Sequence, residues 1–148
     1  SCSNRRRYRY NELMSQLTQY LPKKAYERLQ ANKEAVLIDV RTEAENKFVG
    51  RPLDCIFVPW VDEPDWEPHA DDFIAAIKRF IGDDALSTEI ILICRSGFRS
   101  DDAGRCLINN NFTDVSHVVS GFEGDLDESD QRGNVNGWLH DGIPWNQC

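Results

Sequence analysis

The sequence predicts an α/β domain built on an open, mostly parallel sheet of about five strands with helices on both faces. Three observations carry that expectation. Short continuous apolar runs, Ala35–Asp39 and Glu89–Ile93 foremost, have the pattern of strands buried on both faces. Stretches of helical spacing separate the runs at the short intervals that parallel strands require. The 148 residues, 41% apolar and 28% charged, suit one globular domain, and no internal repeat divides them.

Taken in order, residues 1–10 carry Arg5, Arg6, Arg7 and Arg9 beside Tyr8 and Tyr10, a basic arm expected to be a solvated terminus. A weak helical pattern runs from Glu12 to Tyr20, so residues 1–19 read as arm and helix, and the main domain spans 20–148. Pro22 opens a helix reaching Gln30; a first-turn proline is tolerated there because its missing N–H has no intrahelical partner anyway. Ala25, Tyr26 and Leu29 face inward. Ala35–Asp39 is a strand, and Thr42 with Glu45 forms a capping box that starts a short helix. Cys55–Val58 is the next strand and stops at Pro59. The acidic stretch Asp62–Asp72, broken by Pro64 and Pro68, is a loop. Apolar residues from Phe73 to Ile81 recur at helical spacing, and Gly82 ends that helix. Glu89–Ile93 is the most apolar strand and is placed at the centre. Ser100–Asn110 is helical with Ala103, Cys106 and Leu107 on one stripe, and Val115–Val119 is the last strand.

Charge and cysteine usage exclude several function classes. Seventeen basic against twenty-five acidic residues leave a net charge of −8, the wrong sign for a protein that neutralises phosphates, so no nucleic-acid partner is expected. No apolar run approaches the roughly 18–20 residues of a membrane helix. Cys2, Cys55, Cys94, Cys106 and Cys148 are odd in number and include no C-x-x-C pair, which suggests neither a disulfide framework nor a zinc ribbon. His69, His117 and His140 lack metal-ligand spacing, so neither metal nor cofactor is implied. Unpaired cysteines favour the reducing cytoplasm. Ser1-Cys2, read instead as the remnant of a lipoprotein cleavage site, would anchor the chain through Cys2, and a periplasmic setting also stays open.

The chemistry-bearing segment is Cys94-Arg95-Ser96-Gly97-Phe98-Arg99-Ser100, between the central strand and the next helix. Open α/β sheets bind ligands beyond the carboxyl ends of their strands. A helix N-terminus there offers unpaired N–H groups and a favourable dipole to an anion. Gly97 lets the backbone fold into a cradle, and Arg95 and Arg99 add positive charge, so Cys94 is placed to act as a thiolate nucleophile. Asp101 and Asp102 oppose that charge unless they point elsewhere.

The run CRSGFRS, the strand EIILI before it and VLIDVR at 36–41 together resemble a single-domain rhodanese, a sulfurtransferase, and the likeness extends over roughly residues 20–147. It includes Thr42–Glu45, the FVPW run at 57–60, Gly121–Leu126 and the tail Gly137-Trp138 with Gly142–Trp145. Gly50–Asp54 departs from the G-H-I-x-G-A stretch usual in that family. The resemblance implies a Cys94 persulfide, charged by thiosulfate or a persulfide donor and discharged to cyanide, a thiol or a sulfur-carrier protein. It implies that backbone N–H groups from Arg95 through Ser96, Gly97, Phe98 and Arg99 to Ser100 hold the sulfur anion, with Arg95 and Arg99 attracting the donor. Asp39 and Arg41 are expected to brace the loop. Two other readings stand beside this one. The fold also serves as an interaction module without turnover, and it supports phosphatases and arsenate reductases whose loop is Cys-x5-Arg, whereas four residues separate Cys94 from Arg99 here.

Overall fold

The structure, a computed structural model, describes residues 17–147. The basic arm, Cys2 and Cys148 lie outside the described residues. The fold grows from Ile90–Ile93 (β5), in which every residue is fully buried. Strand side chains alternate, so Ile90 and Leu92 enter one apolar cluster while Ile91 and Ile93 enter another. Only a central strand covered on both sides can dispose of four such residues, and β5 is the third of five.

Five parallel strands make the sheet. Thr18–Tyr20 (β1), Val36–Asp39 (β2), Ile56–Phe57 (β4) and Val115–Val118 (β6) join β5 in the order β1-β6-β5-β2-β4. Pro22–Ala31 (α1) covers one face: its Ala25 packs with Phe122, Trp138 and Ile143 over Leu37, Ile91, Ile93 and Val118. Ala70–Ile81 (α2) and Phe98–Asn109 (α3) cover the other, where Phe73, Ile77, Ala103 and Leu107 meet Ile38, Ile90 and Leu92. Asp71 and Asp72 open α2 while Lys78 and Arg79 close it, matching the sign of the helix dipole at each end. Arg51–Pro52 (β3) and Trp145–Asn146 (β7) form a separate antiparallel pair that ties the C-terminal segment down.

Several boundaries differ from the sequence expectation. Thr18–Tyr20, placed in a weak helix by its pattern, is an edge strand that pairs with Ser116–Val118. A three-residue edge strand takes its stability from the ladder rather than from local propensity, so tertiary pairing overrides the weak helical signal. Helix α2 begins at Ala70, within the stretch read as loop, and α3 begins at Phe98 rather than Ser100. The capping box forms: the Glu45 amide donates to Thr42 Oγ1 at 3.2 Å and the Thr42 amide donates to Glu45 Oε1 at 3.2 Å. It opens one wide turn, Glu45–Val49, of π-helical type. Among the described residues no helix is long and apolar enough to cross a membrane.

At the end of β2 lies an ion pair whose two side chains are both 0% exposed, Asp39 with Arg41. Arg41 Nε and Nη2 donate to Asp39 Oδ1 and Oδ2 at 2.8 and 2.9 Å, and Asn46 Nδ2 adds a bond of 2.8 Å to Oδ2. Arg41 Nη2 also donates to the Gly50 carbonyl, and the guanidinium carbon sits 4.4 Å from the centre of the Phe122 ring. Removing one partner strands the other charge in the interior. Arg41→Met is therefore expected to lower the unfolding free energy by about 3–5 kcal/mol. Urea unfolding checks this, and a loss below about 1 kcal/mol would show that the pair is not held as described.

Candidate active site

Strand β5 ends at Ile93, and the chain turns through Cys94, Arg95, Ser96 and Gly97 before α3 begins. The turn is pressed against the segment after β6 by two glycines. Gly97 has φ +112°, and a Cβ there would fall 2.1 Å from the Val119 carbonyl oxygen. Gly121 has φ +68°, and a Cβ there would fall 2.5 Å from the Arg95 carbonyl. Any side chain at either position must push the two segments apart. The close approach lets the Phe122 amide donate to the Cys94 carbonyl at 2.8 Å and the Glu123 amide to the Arg95 carbonyl at 2.9 Å.

With those carbonyls held by the segment after β6, two polar groups of the turn reach the sulfur. The Gly97 amide donates to Cys94 Sγ at 3.1 Å, and Ser100 Oγ lies 3.4 Å from the same sulfur. Cys94 is 1% exposed, so its sulfur sits inside the cradle rather than on its rim. Ser96 is half-buried, Arg95 is exposed, and the Phe98 ring stands at the mouth with 83% of its surface in solvent. The cysteine, the glycine amide and the serine hydroxyl singled out in the sequence thus converge on one point.

The two arginines part company. Arg99 is committed to Glu45 by a two-pronged contact, Nη1 to Oε1 at 2.8 Å and Nη2 to Oε2 at 3.0 Å. Burial acts to raise the Glu45 carboxyl, but the Arg99 guanidinium and the Thr42 donors overcome it and hold the group at about 2. Arg99 is correspondingly raised: burial opposes its charge and Glu45 more than restores it. Arg99 therefore locks the start of α3 to the Glu45–Val49 turn, and Arg95 is the cation left facing solvent.

Asp39 and Arg41 make no hydrogen bond to residues 94–100 among the described residues; their link runs through Phe122, whose ring covers Arg41 and whose amide holds Cys94. The acids opening α3 are also engaged. Asp101 accepts from Arg105 Nη2 at 2.9 Å, and Asp102 accepts from Trp60 Nε1 at 3.1 Å.

Pattern alone missed two groups. Glu45 was visible as a capping residue but not as the partner of Arg99, 54 positions away. His117, buried in β6, places Nδ1 2.8 Å from Ser100 Oγ, a contact for which a lone histidine in a strand leaves no sequence signal. The other two cysteines among the described residues are set differently from Cys94. Burial, with the Asp39 charge behind it, pushes the Cys55 thiol up to about 12. Cys106 lies in the core and is disulfide-bonded, which corrects the expectation that the cysteines stand unpaired.

Comparison with known proteins identifies the family and the fold. A profile of the rhodanese-like domain family matches residues 21–128. An uncharacterized protein of Rickettsia conorii is 33% identical over 127 residues, covering 82% of this chain and 91% of its own. The crystal structure of Rv0390 from M. tuberculosis is 36% identical and superposes with a TM-score of 0.77 over 88% of this chain and 98% of that one. The polysulfide-sulfur transferase homodimer from Wolinella succinogenes superposes with a TM-score of 0.61, over 93% of this chain and 84% of that one; at 21% identity the likeness is one of fold.

The Glu45–Arg99 contact has a pH signature. Glu45 titrates near 4.5 when unfolded and about 2 when folded, so its contribution is complete above pH 4.5 and is lost as pH falls toward 2. That contribution is on the order of 3 kcal/mol at neutral pH. Glu45→Gln is expected to destabilise the protein at pH 7 and to flatten its stability profile between pH 4.5 and 2, as read by urea midpoints. Wild-type and variant profiles that run parallel through that window would contradict the assignment.

Proposed function

The chain belongs to the rhodanese-like domain family, and from that premise we propose that it is a sulfurtransferase working through a persulfide on Cys94. The observation that carries the reading is the Cys94 sulfur at the end of the central strand, with the Gly97 amide at 3.1 Å and the Ser100 hydroxyl at 3.4 Å. The Gly97 amide already points at the sulfur, and the Ser100 hydroxyl can turn from its resting acceptor to donate to an anionic sulfur. The likeness in fold to a protein described as a polysulfide-sulfur transferase supports the same chemistry.

In the first half-reaction the Cys94 thiolate attacks the outer sulfur of thiosulfate. A sulfur–sulfur bond forms to Cys94 as the bond inside thiosulfate breaks, and sulfite leaves with the electron pair. A persulfide donor reacts in the same way, losing a thiolate. In the second half-reaction an acceptor nucleophile, whether cyanide, a thiol or a carrier protein, takes the outer sulfur and Cys94 departs as thiolate. Inward-facing donors of residues 95–100 stabilise the charged outer sulfur between the two steps, and Arg95 draws an anionic donor toward the mouth.

Arg99 also weighs against phosphate chemistry. A loop that turns over phosphate esters needs its arginine free to clamp oxygens, and this guanidinium is spent on Glu45. Four residues between Cys94 and Arg99 leave a small ring, suited to one sulfur rather than to several oxygens.

Incubation with thiosulfate is expected to add one sulfur atom to the protein by intact mass, mapped to Cys94. Cys94→Ser is expected to abolish both the adduct and thiocyanate formation while the melting temperature stays close to wild type. Full turnover in that variant, or an adduct on the other free thiol among the described residues, Cys55, would overturn the assignment. The unaltered protein is also expected to leave aryl phosphates untouched. No adduct from any sulfane donor, in a folded protein, would favour the interaction-module reading.

A further inference from the structure

His117 is buried in the middle of β6, between Gln19 on β1 and Leu92 on β5, with its side chain 4% exposed. An imidazole in such surroundings is costly unless its nitrogens are satisfied. Nδ1 is satisfied, at 2.8 Å from Ser100 Oγ. Nε2 is buried without a hydrogen-bond partner, with Asp101 Oδ1 3.7 Å away: too far for a hydrogen bond, near enough for a charge to be felt. Ser100 Oγ is itself 3.4 Å from Cys94 Sγ, and its single proton has two acceptors in reach, the Gly97 carbonyl at 3.2 Å and His117 Nδ1 at the shorter 2.8 Å. Cys94, Ser100, His117 and Asp101 thus form one line of polar atoms leading from the buried sulfur, through the buried imidazole, to a carboxylate that is 31% exposed.

Resting on the reading of Cys94 as the nucleophile, we infer that His117 takes up the Cys94 proton through the Ser100 hydroxyl and so sets how much thiolate the site holds. The transfer balances. At rest His117 is neutral with its hydrogen on Nε2; Nδ1 accepts the Ser100 hydroxyl proton, and Ser100 Oγ accepts the Cys94 S–H. The thiol proton then moves to Ser100 Oγ as the hydroxyl proton moves to Nδ1, leaving thiolate, hydroxyl and imidazolium. Ser100 now donates to the thiolate, Nδ1–H donates to Ser100 Oγ, and the positive Nε2–H faces Asp101. No proton need return between half-reactions, because sulfur departure regenerates the thiolate.

The surroundings fit a base that is neutral at rest. Burial pushes the His117 imidazole below its ordinary range; Asp101 works to raise it, and Arg105 to lower it. Those two residues face it from α3, Asp125 lines the same cavity from the segment after β6, and the neighbours on β1 and β5 carry no charge. Asp101 gives the imidazolium a partner exactly where Nε2 otherwise has none in the buried site. His117 is thus a positioning residue, acting on the sulfur through Ser100.

The test reads thiolate directly. Cys94 is alkylated with iodoacetamide, an uncharged reagent, across pH 5–10 in the full chain and in His117→Asn, which can keep a hydrogen bond to Ser100 but cannot hold the proton. The variant is expected to react about tenfold more slowly at neutral pH, its profile shifted upward by about one unit. Ser100→Ala is expected to give a similar loss, and the double variant is expected to be no slower than the worse single one. A His117→Asn profile superposing on wild type overturns the relay, as do losses that multiply in the double variant. Should His117→Asn not fold, ring-nitrogen NMR of His117 in the unaltered protein and in Cys94→Ser decides instead: the relay requires its titration to move when the thiol is removed, and an unmoved titration overturns it. Alkylation does not depend on sulfur transfer. A His117-dependent profile in a protein that transfers no sulfur therefore supports the relay while overturning the proposed function, and sulfur transfer with a His117-independent profile does the reverse.

Discussion

The buried pair of Asp39 and Arg41 is the joint from which the site hangs. Taking two charges out of water costs several kcal/mol each, and dense hydrogen bonding offsets that cost here, with Arg41 Nη1 left as the one buried atom of the pair without a partner. Here both carboxylate oxygens are in use, Oδ1 by Arg41 Nε and the Arg41 amide, Oδ2 by Arg41 Nη2 and Asn46. The guanidinium reaches the Gly50 carbonyl with one edge and lays its face on Phe122. Three segments distant in sequence are thereby fixed: the end of β2, the Glu45–Val49 turn and the chain after β6. Apolar packing alone would hold them together but would tolerate sliding; a planar two-pronged contact does not.

From that joint the constraint passes to Cys94 by two routes. One runs through Phe122, whose amide holds the Cys94 carbonyl, with Gly121 allowing the approach. The other runs through the Glu45–Val49 turn, whose first residue grips Arg99 and so fixes the first turn of α3. Cys94 is caught between a strand end that cannot move and a helix start that cannot rotate. The cradle around its sulfur is therefore a consequence of contacts made some distance from it, and its donors are set before any substrate arrives.

Most of this was legible in the sequence where physics is local. Ile90–Ile93 and Val36–Asp39 announced a doubly covered sheet through unbroken apolar runs, Thr42 and Glu45 announced a turn by their spacing, and the Cys94 loop announced itself by its place between strand and helix. What stayed hidden depends on pairing at long range. Thr18–Tyr20 is a strand only because Ser116–Val118 offers it a ladder. Glu45 satisfies its local cap and a remote guanidinium with the same carboxylate, and only the first task leaves a pattern. His117 differs from any buried histidine only in that α3 brings Ser100 beneath it. The hydrogen bonds expected from Asp39 and Arg41 to the loop do not form among the described residues; Arg41 instead lies on the Phe122 ring, and ring stacking has no characteristic spacing.

The acidic character of the chain bears on how the proposed chemistry, which needs an anionic sulfur, is accommodated. A net charge of −8 opposes any further negative group, and α3 begins with two more carboxylates. Yet screening confines the reach of exposed charges to about 8–10 Å in physiological salt, so the arrangement nearest the sulfur decides. There the acids are already answered: Glu45 by Arg99, Asp101 by Arg105, Asp102 by the Trp60 indole. Arg95 stands exposed at the mouth, and the Gly97 amide points inward at the sulfur. On the proposed reading, answering these three acids locally makes a chain that repels anions at long range hospitable to a single sulfur anion at short range, with Asp125 the further carboxylate lining the cavity. On the proposed reading, the site gains little from long-range steering of a dianion such as thiosulfate, and Arg95 and the Gly97 amide act over the last few ångströms.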